Sequence, residues 1–377
     1  MSKLFKGIPE IVVCYDNDEA GQNGAKDFCC SIGYKAKRIL WESDKTKGYD
    51  LNDLFQECGS KDKFLKEIAR YATSAKAEVE PILKPSALMI GSLKARIELD
   101  SRGEIVGISS GYSRLDRQFS GISGIWFVGG KPKEGKTTFA GNIAIGTAER
   151  GCPTIYMDYE NGSLNLMGKI STNVFDLTIT ELRKKHKEVF NQSKYKAEYA
   201  RLLKILSNLY IIRPSMRDAG DKYASPQEIA TDILEKYILF LRDDSSCTKP
   251  ILFVIDSLQK LPALNINDKR SSIDGWLRAF ECVRDQYNVS FLIISELSRG
   301  KYKKPTIEAF KESGDIEYTA DVALFLEKQG SVITLNTVAN RNGESGDSII
   351  YTADFEHWKL NEMDDYSYQK KIKNDRQ

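Results

Sequence analysis

The residues with the clearest chemical meaning are Gly130-Lys131-Pro132-Lys133-Glu134-Gly135-Lys136-Thr137, which follow the apolar run 124–129 and precede a helical pattern. Two glycines separated by four residues and followed by Lys-Thr let backbone N–H groups curl round a phosphate, and a helix that starts there adds partial positive charge. In that arrangement Lys136 reaches the β- and γ-oxygens of a bound nucleotide and Thr137 holds Mg²⁺, while Gly130, Lys133, Gly135 and Thr138 complete the cradle. A glycine-rich turn with a chance Lys-Thr is the bland alternative. Strand, loop and helix standing together argue against it.

Two carboxylates belong with this loop. Asp256 ends the apolar run Ile251-Leu252-Phe253-Val254-Ile255, as expected of a group that orients Mg²⁺ and its waters. Glu160 lies just past the strand-like run 153–157, on the side of the sheet where ligands bind, and a carboxylate there can activate an attacking water. Asp158 is the rival for that role. In isolation an Asp after a buried strand would read as a helix cap, but its pairing with the phosphate loop argues against that for Asp256. A solvated loop acid is the plain alternative for Glu160.

The elements that must position these groups follow from periodicity. Strand-like runs recur at 124–129, 153–157, 209–213, 251–255, 291–295, 321–326 and 332–338, with helical segments between most of them. That alternation predicts an α/β domain with a mainly parallel central sheet over about residues 111–361. The polar, helix-rich stretch 163–208 is expected over one face or edge of the sheet. Residues 1–75 read as a β-α-β-α unit, with strands near 9–15 and 35–41 and helices at 22–32 and 54–72. Residues 76–110 read as a linker carrying a helix near 88–99, and 362–377 as a polar, frayed tail.

Composition sets the outer bounds. A chain of 377 residues, 41% hydrophobic and 29% charged, has an ordinary globular balance and room for two or three domains of about 100–200 residues each. With 55 Lys and Arg against 53 Asp and Glu, the net charge of +2 gives no global reason to expect nucleic acid, so any such surface must be local. No apolar run approaches the ~18–20 residues of a membrane span, and no membrane association is expected. The start MSKLFKGIPEIVVCYDND lacks the apolar stretch of a secretory signal. Seven scattered cysteines without a C-x-x-C pair fit free thiols in a reducing cytoplasm, and with only two histidines a structural zinc site is not expected.

The order of phosphate loop, Glu160, Asp256, then SELSRG (295–300), FKESGDIEYTADVALFL (310–326) and NTVANRNGESGD (336–347) resembles the RecA-like motor domain of DnaB-type replicative helicases over roughly residues 105–360. The resemblance implies ATP and Mg²⁺, hydrolysis between subunits of a homo-oligomer in the form of a hexameric ring, and movement on single-stranded DNA with 5′–3′ polarity. Arg341 would be an arginine finger acting on the neighbouring subunit's ATP. The family usually carries a Lys two positions earlier, where this chain has Ala339, so one cation would act rather than two. The family's polar sensor is typically Gln, here Glu296, which beside a γ-phosphate would have to be protonated, Mg²⁺-linked or paired with Arg299.

The same resemblance points to channel-lining loops at 261–272 and 298–315 as the DNA contacts. The second holds Arg299, Lys301, Lys303, Lys304 and Lys311, a local basic excess suited to tracking a phosphate backbone without reading sequence. Lys311, Glu312 and Gly314 would touch the strand, Gly314 through its backbone N–H. A solvated loop is the plain alternative for the KYKK run.

IVVCYDNDEAG and YDLNDLF resemble the second half of a toprim domain, as in phage-type primase-helicases. The resemblance makes Asp16 and Asp18 the D-x-D carboxylates that hold Mg²⁺, with Asp50, Asn52 and Asp53 as the following acidic motif. The family's upstream half, with a strand ending in Glu, has no counterpart in the sequence. No primer synthesis is therefore expected, and the unit reads as the remnant of a longer primase-helicase or as a scaffold, with primase or other replisome proteins as partners. The linker helix resembles the segment that docks on an adjacent motor domain in ring helicases, with Ile90, Leu93, Ile97 and Leu99 as its apolar side. The alternative from another class is a RecA-like recombination or regulatory ATPase that binds DNA without unwinding it.

Overall fold

The computed structural model describes residues 10–33, 35–79, 90–191, 194–215, 225–243, 249–263, 268–297, 306–310, 313–341, 343–344 and 348–363, with Phe5, Ile8 and Ser367. They fall into two compact units, Met1–Ala95 and Arg96–Gln377.

The first unit contains β1 (Ile11–Val13), α1 (Glu19–Ile32), β2 (Ala36–Arg38), α2 (Leu51–Cys58), α3 (Lys61–Ser74) and β3 (Lys76–Ala77). Its sheet runs β1-β2-β3, with β1 and β2 parallel and β3 antiparallel to β2. The single helix expected over 54–72 is in fact two. Gly59 takes a left-handed φ of 66° and closes α2, and Ser60 then caps α3 by accepting from the Lys63 N–H. A small core gathers Ile39, Trp41, Tyr49, Leu54 and Tyr71, and the Trp41 indole N–H donates to the Tyr15 carbonyl at 2.8 Å. Helix α4 (Ile90–Ser101) follows.

The second unit is organised by a nine-stranded sheet. In chain order its elements are α5 (Ser113–Phe119), β4 (Ile125–Gly130), α6 (Lys136–Glu149), β5 (Thr154–Asp158), α7 (Ser163–Phe175), α8 (Ile179–Lys184), α9 (His186–Phe190), α10 (Lys196–Leu206), β6 (Leu209–Ile212), α11 (Pro226–Asp243), β7 (Ile251–Asp256), α12 (Lys269–Gln286), β8 (Val289–Ile294), α13 (Ser313–Thr319), β9 (Val322–Gln329), β10 (Val332–Asn340), β11 (Ile349–Asp354) and β12 (Lys359–Glu362). Strand order is β12-β11-β10-β9-β4-β8-β7-β5-β6. The six strands from β9 to β6 are parallel, and β10, β11 and β12 extend the sheet antiparallel.

Central strands buried on both faces read as continuous apolar runs rather than alternating ones. Every residue of β4, β7 and β8 is buried. Trp126, Val128, Tyr156, Leu252 and Val254 pack on the face covered by α6, α7 and α10. Ile125, Phe127, Ile155, Phe253 and Ile255 pack on the other face with α11 and α12. The helix-rich stretch 163–208 thus lies over the α6 face.

The antiparallel end of the sheet is locked onto α6. The Asn142 amide N–H₂ donates to the Trp358 carbonyl at 2.9 Å, and that carbonyl also accepts from Asn173 at 3.0 Å. Trp358 lies so close to α6 that a Cβ on Gly141 would come within 2.0 Å of its ring. Gly141→Ala is therefore expected to force ring and helix apart at a cost of about 1–3 kcal/mol. Chemical denaturation measures this, and an unchanged midpoint would contradict the packing.

Candidate functional site

Six parallel strands deliver their C-terminal ends to one edge of the sheet, and the chemistry-bearing residues collect there. Gly130 ends β4, and the loop that follows reaches α6 through Lys133 at φ 67° and Gly135 at φ 92°. Only glycine adopts the latter without strain, and its Cβ would also stand 3.0 Å from Ile333. The loop borders a cavity of about 900 Å³ lined by Gly130, Lys133, Gly135, Lys136, Thr137, Thr138, Glu160, Asp256 and Glu296, together with Ser257 and Phe355. Nine residues expected from the sequence to handle nucleotide, metal and water are thus brought together.

Lys136 folds over the loop, its ammonium donating to the Gly130 carbonyl at 2.8 Å and the Lys131 carbonyl at 3.0 Å. Burial lowers its pKa, while the charges of Glu134, Glu160, Asp256 and Glu296 work against that shift. Asp158 and Asp256 are register partners on the adjacent parallel strands β5 and β7, and both are almost completely buried. The Asp158 Oδ1 is committed to the turn after β5, accepting the backbone N–H of Glu160 at 3.1 Å and of Asn161 at 2.9 Å. Glu160 is left as the carboxylate facing the cavity, where the Ser257 hydroxyl donates to its Oε1 at 3.1 Å.

Asp256 Oδ2 accepts from the Tyr156 hydroxyl at 3.0 Å, whereas Oδ1 is buried and has no hydrogen-bond partner among the described residues. Burial first, and then the Glu160 charge, push the Asp256 carboxyl up to about 6, against hydrogen bonds from Thr137 and Tyr156. A bare carboxylate oxygen beside a threonine hydroxyl and a phosphate loop has the hard oxygen chemistry of a divalent-cation seat. Mg²⁺ therefore fits this donor set.

Glu296 borders the cavity just beyond β8. Its backbone N–H donates to Gln259 Oε1 at 2.9 Å, and the Gln259 amide donates in turn to Ser295 Oγ at 3.0 Å. Gln259, Ser257 and Tyr156 carry no motif that marks them in the sequence. Tyr156 has one usable signal, since it lies two residues before Asp158 and so on the same face of β5.

Arg341 stands elsewhere. It follows β10, whose end lies beside the start of β9, and β9 runs parallel to β4. The residue is thus at the opposite edge of the sheet from the phosphate loop, roughly 17 Å away along β4 at ~3.3 Å per residue. Its guanidinium donates to Asp321 Oδ1 at 3.2 Å and to the Tyr318 carbonyl.

Of the expected DNA contacts, Gly314 lies in the first turn of α13. Arg299, Lys301, Lys303, Lys304, Lys311 and Glu312 lie outside the described residues. In the first unit the Asp18 carboxylate caps α1, accepting the Gly21 N–H at 2.6 Å, and Asp50 caps α2 in a capping box with Asp53. Asp16 is exposed, and burial followed by the charges of Asp16 and Asp50 pushes the nearby Cys14 thiol up to about 11. Among the described residues no three His, Cys, Asp or Glu side chains are gathered as for a metal ion, and no helix is long and apolar enough to cross a membrane.

Sheet order and loop position together define a P-loop nucleoside triphosphatase of the RecA-like kind. The family model described as "DnaB-like helicase C terminal domain" matches residues 107–352, and the chain belongs to that family. It is similar to the replicative DNA helicase DnaB of Pasteurella multocida (strain Pm70), 23% identical over 311 residues that cover 79% of this chain and 61% of that protein. It is likewise similar to the replicative DNA helicase DnaC of Bacillus subtilis (strain 168), 23% identical over 320 residues covering 80% and 65%. The chain thus spans less than two thirds of the length of these relatives. Among solved structures, an isolated ATPase domain superposes with a TM-score of 0.61 at 18% identity, covering 75% of this chain and 100% of that one. A DnaB-like replicative helicase studied for its interactions with primase gives 0.59 at 17% identity, covering 83% and 75%.

The Asp256 carboxyl sets a stability trade-off with a defined sign. Its pKa is higher in the folded chain, about 6 against the ordinary 3.8, so its favourable contribution belongs to the protonated form and is lost as pH rises across that interval. At neutral pH the buried anion is a cost that a bound divalent cation would offset. Asp256→Asn is expected to raise the melting temperature of the metal-free protein near neutral pH by a few degrees, at ~2–4 °C per kcal/mol for a domain of this size. The same substitution should abolish Mg²⁺-dependent hydrolysis, and the gain in melting temperature should shrink below pH ~5. Calorimetry across pH tests this, and a lowered melting temperature at neutral pH contradicts it.

Proposed function

We propose that this chain is an ATP-driven motor that assembles into a ring, moves along single-stranded DNA and separates duplex ahead of it. Membership of the DnaB-like helicase family supports the class of activity. The single observation that carries the assembled form is the position of Arg341. Among the described residues, the cations that line the cavity are Lys133 and Lys136, both from the chain's own phosphate loop, while Arg341 sits at the far edge of the same sheet. A charge on the transferred phosphoryl group can then meet Arg341 only from a neighbouring copy.

In this reading the loop N–H groups and Lys136 grip the phosphates. Thr137 and Asp256 would hold Mg²⁺, which when bound would neutralise charge on the phosphates. Glu160, steadied by Ser257, takes a proton from the attacking water. Glu296 senses the γ-phosphate end of the cavity, its backbone tied through Gln259 to the segment after β7. The loops at 261–272 and 298–315 follow the DNA backbone, with Arg299, Lys301, Lys303, Lys304 and Lys311 as phosphate contacts and Glu312 and Gly314 beside them. The N-terminal unit is a toprim-like scaffold: its Asp18 and Asp50 carboxylates are engaged as helix caps, which favours a structural role over primer synthesis, and primase or replisome proteins would be its partners. Asp16 and Asp18 would be its metal ligands if it binds Mg²⁺.

Arg341→Ala and Lys136→Ala should each remove ATP hydrolysis, and mixing the two proteins should restore part of it, because some interfaces then pair an intact loop with an intact arginine. No recovery at any mixing ratio sinks the shared site. The apolar residues of α4 make a second test. Ile90, Leu93 and Ile97 are about half exposed, at 53%, 50% and 58%, and lie three and four residues apart on one side of the helix. Leu93→Asp with Ile97→Asp is expected to convert rings to monomers in native mass spectrometry while leaving nucleotide binding intact. Unchanged ring size would remove this helix from the assembly.

A further inference from the structure

The group that holds Arg341 is unusually well anchored. Asp321 directly precedes β9 and is only 8% exposed. Its backbone N–H donates to the Ile125 carbonyl at 2.9 Å, and its Oδ2 accepts the Ile125 N–H at 2.8 Å, so main chain and side chain both grip the first residue of β4. Arg284, near the end of α12, donates to the same Oδ2 at 3.2 Å. The remaining oxygen, Oδ1, accepts from the Arg341 guanidinium at 3.2 Å, and the Asp321 carbonyl accepts the Arg341 backbone N–H at 2.8 Å. One buried carboxylate thus ties Arg341 to the central strand of the sheet.

The arrangement has more specificity than charge balance requires. Arg341 is 46% exposed at its side chain, and an exposed ion pair is ordinarily worth little and leaves a long side chain free to wander. Here the chain is pinned at its backbone and at its tip. Nη1 donates to Asp321 and Nη2 to the Tyr318 carbonyl, which aims the guanidinium plane from the rigid end of the sheet. A guanidinium has five N–H groups, so the remaining donors stay available to a partner. Holding a reacting group within a narrow range of positions is itself worth about a hundredfold in rate for a displacement of ~1 Å.

We propose that Asp321 is the positioning residue for Arg341: it fixes the guanidinium for use in the ATP site of the adjacent copy, and it has no part in the site of its own chain. This rests on the reading of Arg341 as a group that acts in trans. Arg284 shares the carboxylate, so two arginines converge on the one side chain, Arg284 on Oδ2 and Arg341 on Oδ1.

The test uses the full chain, with ATP, Mg²⁺ and a single-stranded oligonucleotide. Asp321→Asn keeps the size and the acceptor for the Ile125 N–H but removes the charge that holds Arg341. It is expected to lower kcat about ten- to a hundredfold, with the affinity for a fluorescent ATP analogue unchanged. Mixing it with Lys136→Ala protein should then restore hydrolysis as Arg341→Ala does, because the Asp321→Asn copy supplies an intact phosphate loop and its partner supplies a well-held Arg341. A slow Asp321→Asn protein that no mixture rescues makes the residue merely structural and overturns the proposal, as does full activity of Asp321→Asn alone. If Arg341→Ala itself is not rescued by Lys136→Ala, the trans reading fails first, a result distinct from either. Should Asp321→Asn not fold, the double substitution Asp321→Asn with Arg284→Gln removes both partners of the inner ion pair and gives the same readout.

Discussion

The site depends on negative charge held out of water. Asp158 and Asp256 end adjacent parallel strands in register, both nearly inaccessible, and each has one side-chain oxygen without a partner among the described residues. Ionised carboxylates in such a setting cost several kcal/mol each unless a cation or donor meets them. The surrounding elements answer that cost in part: the turn after β5 bonds to Asp158, Tyr156 bonds to Asp256, and Lys136 stands within reach of the Asp256 charge. What is left uncompensated is the part that a nucleotide-bound divalent cation would complete. The fold accepts a local destabilisation to be ready for its ligand, as functional sites commonly do.

A parallel sheet has a direction, and that direction divides the work. Every parallel strand presents its C-terminal end on the side of the phosphate loop, so the nucleotide chemistry gathers there by topology. The antiparallel turn into β10 reverses the chain and carries Arg341 to the other edge. A single copy therefore holds both halves of the proposed site but cannot bring them together. Rigid anchoring suits that division: Asp321 is bonded to β4, the same strand whose opposite end becomes the phosphate loop.

Much of this is legible in the sequence because buried parallel strands write their apolar runs plainly. The seven strand-like runs from 124 to 338 are all strands, with ends shifted by no more than a few residues, and the phosphate loop follows from its spacing. Strands β11 and β12 leave no such mark. Their sequences, IIYTAD and KLNE, are short, mixed in polarity and lie at the sheet's end, where pairing with β10 and packing on α6 decide the conformation. The break between α2 and α3 is hidden for the reverse reason, a Gly59-Ser60 stop and start inside a pattern whose apolar spacing runs through. In the first unit the D-x-D residues read as metal ligands by resemblance, yet a helix N-terminus asks for the same residue type, and Asp18 meets that demand with its Gly21 hydrogen bond.

The antiparallel extension also joins the two edges of the sheet mechanically. Ile333, at the start of β10, lies so close to the phosphate loop that a Cβ on Gly135 would touch it, and Phe355, after β11, borders the same cavity. The other end of β10 is Asn340, next to Arg341. The nine residues of β10, paired with β9 apart from a register shift between Thr337 and Ala339, and with β11 over Val332–Leu335, therefore run from the phosphate loop to the residue before Arg341. Close-packed strands shift as units more readily than they bend. A change in loop position would thus meet, at Ile333, the same strand whose far end is held by Asp321, and in the proposed ring this would give one site's occupancy a short physical route to the next.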